Sequence, residues 1–292
     1  MAAQTIRTVA RKLIGPRAAS YLHKHFRPVL PSIEDYRSKL GGLRALEIGG
    51  PSEIFGPDGS LPIYEVLHSV DNCLYSARTI WAGGVQEGNT FHYHPDRPPG
   101  RQIICEAARL THLASNYDCV LASHCLEHLA NPLLGLNEWR RVLRDNGFLL
   151  LILPHKDGTF DWQRPTTTLA HMVSDYDNGV GEDDLTHLPE ILALHDLDRD
   201  KEAGTKEQFR NRCQANFVHR AMHHHVFDTL TALQVVDQAR FEIVHVDHLR
   251  PFHIVILAIR CSGTIDNRQF LRGGPAFRRT SPFPSDRLAR PS

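Results

Sequence analysis

Leu43-Arg44-Ala45-Leu46-Glu47-Ile48-Gly49-Gly50-Pro51-Ser52 reads as a short buried strand that ends beside an acid and runs into a glycine turn. Ala45, Leu46 and Ile48 form a compact apolar run. A backbone without Cβ atoms at positions 49 and 50 bends sharply and lets a ligand approach closely. Such a turn after a strand is how α/β folds hold a nucleotide-like cofactor. Gly-Gly-Pro-Ser also suits an ordinary turn, so the segments downstream decide between the two.

Ser69-Val70-Asp71-Asn72 places a carboxylate at the end of a second apolar segment spanning Val66 to Leu74. It follows the turn by about 20 residues, the spacing at which doubly wound folds put the acid that accepts from ribose hydroxyls. Gln102-Ile103-Ile104-Cys105-Glu106-Ala107 reads as a third strand ending in an acid. Tyr117 to Leu129 runs from a strand into the polar tip Ser123-His124-Cys125-Leu126-Glu127-His128, and Gly147 to Pro154 is a wholly apolar strand. Between these two, Asn131-Pro132 is a helix start, with Asn as N-cap and Pro at the first helical position. Leu133, Leu136, Trp139, Val142 and Leu143 mark its apolar face, and Asp145-Asn146-Gly147 ends it. Phe241 to Asp247 and His253 to Ile259 read as two further long strands. The expected strands are thus 44–48, 66–71, 102–106, 118–123, 148–153, 241–247 and 253–260.

In this order the segments resemble the class I S-adenosylmethionine-dependent methyltransferases. The likeness is to the type 11 branch, in which a strand leads through Glu-His-Leu and a helix to a glycine turn and a leucine-rich strand. It covers residues 43 to 155 and returns at 241 to 261. The resemblance implies an α/β fold, a Rossmann-like doubly wound seven-stranded sheet with an antiparallel last strand. It also implies S-adenosylmethionine lying across the strand tips. Glu47, Gly49 and Gly50 match the methionine end, Asp71 the ribose hydroxyls, and Glu106 with Ala107 the adenine. Ser123 and His124 lie beside the methionine end, together with the Glu127-His128 pair. One departure stands out: Pro51 occupies the place of the family's second glycine and supplies no N–H.

With 292 residues, 41% hydrophobic and 23% charged, the chain can bury a full core. A formal net charge of zero gives no global basic field for nucleic acid. The six cysteines are scattered without a CxxC pair and suit a reducing compartment. No run approaches the roughly 18 apolar residues of a membrane span, and no signal-peptide core follows Met1. A soluble, cytoplasmic protein is expected. Residues 1 to 33 hold no acid, while Arg7, Arg11, Lys12, Arg17, Lys24 and Arg27 accompany Ile6, Val9, Leu13 and Ile14 at helical spacing. A helix capping the domain is expected there, with a mitochondrial transit segment or a membrane-surface helix as the alternatives.

The resulting division is a basic helical segment at 1–40, a cofactor-binding core at 41–155, an insertion at 156–240, closing strands at 241–261 and a disordered tail at 262–292. The insertion concentrates histidines: His155 at its edge, then His171, His187, His195, His219, His223, His224 and His225. We expect it to fold over the methyl group as an acceptor-site lid, with His128, His155, His195 and His224 as catalytic candidates in one cleft. Histidine suits proton transfer and is also the commonest metal ligand. Three adjacent histidines on a helix point about 100° apart, however, and no metal site is assigned. The function expected is O- or N-methylation of a small-molecule or glycan acceptor. A metal-dependent hydrolase or lyase, and a non-catalytic cofactor-binding protein, are the alternatives.

Overall fold

The computed structural model describes residues 29–80, 83–272 and 275–288. The basic amphipathic pattern at residues 6 to 27 lies outside these. Within them the chain builds an eight-stranded sheet: β1 (Arg44–Ile48), β2 (Ser69–Leu74), β3 (Gly88–Phe91), β4 (Gly100–Ile104), β5 (Tyr117–Ser123), β6 (Leu143–Pro154), β7 (Phe241–Leu249) and β8 (His253–Arg260). The strand order is β3-β4-β2-β1-β5-β6-β8-β7. β4, β2, β1, β5 and β6 are parallel, and β8 runs antiparallel between β6 and β7. Without the edge strand β3, this is the expected seven-stranded doubly wound sheet with an antiparallel last strand. β3 escaped notice because Gly88-Asn89-Thr90 is exposed and carries no apolar alternation.

Side-chain alternation sends neighbouring residues to opposite faces of the sheet, and both faces are covered. Leu46, Ile48, Val120, Ala122, Leu149 and Leu151 face one core, shared with α2 (Pro132–Val142) through Leu136 and Trp139. Ala45, Cys119, Leu121, Leu150 and Ile152 face the other, shared with Tyr36 and Leu40 of α1 (Ile33–Leu40), Phe55 and Tyr64. α2 starts as expected, with Asn131 Oδ1 accepting from Leu134 N at 3.0 Å.

The second strand starts at Ser69, not Val66. Residues 63 to 67 form a turn in which Val66 N and Leu67 N both donate to Ile63 O, so the buried Leu67 is a loop residue. The third expected strand ends at Ile104, which leaves Cys105 and Glu106 beyond its tip.

Between β6 and β7 come α3 (Leu169–Asp177), α4 (Leu188–Leu194), α5 (Lys206–Gln214), α6 (Asn216–His219) and α7 (Thr229–Gln238). α7 buries Ala232, Leu233 and Val236 in the same core as Trp139, so it is a layer of the core and not part of an added segment. The segment outside the core order is therefore 156–228.

The tail expected to be disordered is largely packed. It forms α8 (Arg268–Leu271), α9 (Phe277–Thr280) and α10 (Pro284–Leu288). Phe277 and Phe283 are buried, and buried Asp286 accepts from Thr229 Oγ1 at 2.6 Å and Ser281 Oγ at 2.5 Å. Its Arg, Pro and Ser content masked two aromatic anchors and one well-satisfied carboxylate. Among the described residues, no helix is long and apolar enough to cross a membrane.

Trp139 is fully buried and its indole N–H donates to Ala107 O at 3.0 Å, so it ties the core to the loop after β4. Trp139→Ala should cost about 3 to 5 kcal/mol in urea unfolding, as large aromatic truncations in cores do.

Candidate functional site

At the carboxyl ends of β1, β2, β4 and β5 lies a cavity of about 350 Å³, walled by Gly49, Gly50, Pro51, Glu106, Ala107 and Ser123 together with residues of the facing segments. Its floor is the glycine turn. Gly49 adopts φ +83°, which L side chains rarely occupy, and donates to Cys73 O at 2.9 Å. Gly50 N donates to Asn72 Oδ1 at 2.9 Å, and Asn72 Nδ2 returns a bond to Gly50 O at 3.1 Å. A Cβ at Gly50 would meet the Glu47 carboxyl at 2.2 Å.

That carboxyl is wholly buried behind the turn and does not line the cavity. It accepts from Ser52 N at 3.1 Å and from Tyr64 Oη at 2.7 Å. Burial pushes its pKa up to about 7 against these hydrogen bonds. Glu47, expected at the methionine end, is thus the brace of the turn.

Asp71 is a second correction. β2 runs on to Leu74, so Asp71 pairs with Leu46 in mid-strand and the tip residue is Tyr75. Its carboxylate accepts from Arg44 Nη2, Tyr117 Oη and Arg101 N, each at 2.9 Å, and does not line the cavity. No acid stands at the tip of β2. The acids at this edge are Glu106 and Glu182, and both pair with Arg220 at 2.9 Å.

Opposite the turn, β5 ends at Ser123 and His124 takes φ 52°, which swings the chain across the cavity mouth. His124 Nε2 lies 2.8 Å from His253 Nδ1, and its Nδ1 lies 3.4 Å from the buried Glu127 carboxylate. Burial alone would raise the Glu127 carboxyl, but the close approach of His124 and the other neighbouring histidines hold it below the usual range.

His128 lines the cavity, with Nδ1 3.0 Å from Met222 O. Burial, with His223 nearby, lowers its pKa to about 4. The His223 ring stands edge-on to it at 4.6 Å, and His223 Nδ1 lies 2.5 Å from Asp161 Oδ2. Burial opposes charge on His223, yet Asp161 outweighs it and raises the pKa. Glu127, His128 and His223 each present a ligand atom within 4.8 Å of the others, so this group, which meets the cavity through His128, also has the makings of an ion site.

The other catalytic candidates do not reach the cavity. His155 is buried against Phe283, with Nε2 3.2 Å from Asp286 Oδ1. His195 sits between Phe160 and Phe209, with Nε2 3.1 Å from Asp200, in a separate pocket of about 250 Å³. His224 is buried with Nε2 3.0 Å from Asn216 Nδ2. His155 and His195 pair with local carboxylates, while His224 accepts from Asn216 through Nε2 and leaves its buried Nδ1 without a hydrogen bond. Of the triple-histidine run, His223 alone joins His128. Of the residues expected to bind the cofactor, Gly49, Gly50, Glu106, Ala107, Ser123 and His124 line the cavity. Arg220, Glu182 and Tyr75 line it too and were not anticipated. Nothing in the pattern flagged Arg220, whereas the acid run at 182–184 was visible without a role.

Residues 89–151 match the family model described as a methyltransferase domain. No curated protein matches the sequence. Solved structures with a similar fold include an S-adenosylmethionine-dependent methyltransferase from Mesorhizobium loti, at 15% identity and TM-score 0.43, covering 79% of this chain and 96% of that one. Another is a SAM-dependent methyltransferase from Aquifex aeolicus, at 12% identity and TM-score 0.41, covering 87% and 97%. A third is the 1,6-didemethyltoxoflavin-N1-methyltransferase of Burkholderia thailandensis, solved with 1,6-didemethyltoxoflavin and S-adenosylhomocysteine, at 14% identity and TM-score 0.42, covering 80% and 79%.

Burial depresses His128 to about 4, His224 to about 3, His248 to about 4 and His253 to about 3. The unfolded chain takes up these protons as pH falls through about 6.5 and the folded chain does not, so their effect is a loss of stability between pH 6.5 and 4. Glu47 acts oppositely: its folded carboxyl keeps a proton up to about 7, and that contribution is lost as pH rises towards 7. Four histidines outweigh one carboxyl. The melting temperature should therefore fall steadily from pH 7 to pH 5, and a flat profile would show that these rings reach water.

Proposed function

We propose that this chain, a class I S-adenosylmethionine-dependent methyltransferase by its matched domain at residues 89–151 and its sheet order, methylates an oxygen or nitrogen of a small molecule lodged beside His128. The observation that carries this reading is one cavity of about 350 Å³ bounded by the glycine turn on one side and His128 on the other. That volume lies within the usual range for small-ligand sites.

The residues fit the cofactor. Gly49 and Gly50, past the tip of β1, offer a wall without side chains, with Glu106 and Ala107 past β4 on one side of it and Ser123 with His124 at the end of β5 on the other. When bound, the cofactor supplies a sulfonium methyl group. What remains for the protein is to hold the acceptor in line and dispose of its proton.

Met222 O can only accept, so His128 carries its ring proton on Nδ1 and presents the Nε2 lone pair. At a pKa of about 4 the ring is neutral throughout the physiological range. It is a weak base, suited to accepting a hydrogen bond from an acceptor O–H or N–H and aiming that group's lone pair. Behind it, Asp161 and Arg164 (Nη1 to Oδ1, 2.9 Å) fix His223, and His223 fixes the face of His128. A loss of rate on acidification is therefore expected near 4 and not at the ordinary histidine value of about 6.5. The hydrolase and lyase readings lose their main support, because His155, His195 and His224 do not converge on the cavity.

His128→Ala should bind S-adenosylhomocysteine within about twofold of the parent while turnover drops roughly 10²-fold, the scale of one proton-handling group. Turnover of the parent should stay level from pH 8 to 5.5 and fall only as pH approaches 4. Incubated with methyl-labelled S-adenosylmethionine and a cell extract, the protein should place label in the dialysable fraction. Label confined to protein, nucleic acid or polysaccharide would refute a small-molecule acceptor.

A further inference from the structure

A second histidine group lies outside the methyl-transfer cavity. His171 and Asp175 sit one turn apart on α3, His187 precedes α4, and His225 lies on the segment entering α7. Each offers one ligand atom, and all four atoms lie within 4.8 Å of one another. His171 Nε2 and His187 Nε2 are 3.1 Å apart, Asp175 Oδ2 is 3.5 Å from His171 Nε2, and His225 Nε2 is 3.8 Å from the same oxygen. Four ligands about 2.0 to 2.1 Å from a tetrahedral zinc ion stand about 3.3 Å from each other, so modest side-chain shifts close the set.

We propose that His171, Asp175, His187 and His225 form a structural zinc site that fastens the segment between β6 and α7. Three imidazoles and a carboxylate suit zinc, and four protein ligands leave no open position, the arrangement of structural sites. The spacing of His171 and Asp175 puts both on one helix face. Two further observations separate the group from a chance surface cluster. Asp175 Oδ2 is buried, yet no group donates a hydrogen bond to it, and a buried carboxylate oxygen without a donor is costly unless something cationic meets it. His225 is also buried, although its neighbours His223 and His224 turn to other partners, Asp161 and Asn216. His225 Nε2 lies 3.3 Å from Ala130 O in the metal-free arrangement. Ligation through that nitrogen shifts the ring proton to Nδ1 and gives up the contact with Ala130 O. The side chain of His171 is 43% exposed, which leaves an entry path.

The position of the site gives it a structural consequence. Asp175 and His187 flank the loop that carries Glu182 to the cavity, and His225 ends the segment that carries Arg220 there and sets His223 against His128. One ion would fix both parts of that roof. This inference needs no assumption about the acceptor.

The test uses the full chain, stripped with a chelator, dialysed and titrated with zinc chloride by calorimetry. Roughly one equivalent should bind, and saturating zinc should raise the melting temperature by roughly 5 °C, the effect of ligand at about 100 times its Kd on a chain of this size. His187→Ala and His171→Gln should lose that equivalent and the shift while melting like the stripped parent in zinc-free buffer. Should either fail to fold, His187→Gln takes its place. His195→Ala, outside the group, should bind as the parent does. No uptake by the parent overturns the proposal. So does an equivalent retained in both His187→Ala and His171→Gln, which would move the ion to Glu127, His128 and His223.

Discussion

The fold turns on a carboxyl group that is not in the cavity. Glu47 ends the buried strand β1, fully out of solvent, and its two oxygens hold Ser52 N and the Tyr64 hydroxyl. Tyr64 Oη in turn accepts from Ser52 N at 2.8 Å, which closes a triangle of bonds around the turn. From the other side, Asn72 grips both the N–H and the C=O of Gly50, while Gln102 Oε1 accepts from the Asn72 amide at 3.0 Å. β1, β2 and β4 thus converge on four residues of loop. Glycine is needed at position 50 because the space where a side chain would begin is filled by the Glu47 carboxyl. Pro51 costs little in this setting, because the next N–H, that of Ser52, is committed to the brace and not to a ligand.

Much of the sheet was legible in the sequence. β1, β5, β8 and the half of β6 from Phe148 are strongly apolar runs and β7 is long, whereas Asp145-Asn146-Gly147, read as the end of the helix, lies inside β6, the helix having ended at Val142. Register was not legible to the residue. Val66 and Leu67 look like a strand start because they are apolar, yet Leu67 is buried from a turn. A shift of three residues carried the expected ribose acid from the tip of β2 into its middle, where Arg44 and Tyr117 neutralise and bind it. Asp71 is a structural charge, and a strand boundary was enough to disguise it.

The histidines show a different limit. Composition announces them, but a histidine is equally at home against a carboxylate, an amide or an aromatic ring. His155 found Asp286 in a tail assigned to disorder, and His195 found Asp200 and two phenylalanines. Only three-dimensional packing separates these from His128 at the cavity wall and His223 behind it. Arg220 was invisible for a related reason: its partners Glu106 and Glu182 both come from segments more than 30 residues earlier in the chain. Long-range ion pairs leave no local pattern.

The central claim is that a turn braced from behind by Glu47 forms the floor of the S-adenosylmethionine site. Titrating the parent and Gly50→Ala with S-adenosylhomocysteine tests it most directly, with circular dichroism confirming that both proteins are folded. The added Cβ has no room at 2.2 Å from the Glu47 carboxyl, so the turn or the carboxyl that braces it must shift, and affinity should fall by about 5- to 150-fold, as 1 to 3 kcal/mol of overpacking implies. Equal affinity in the two proteins, or no binding by the parent, would contradict it.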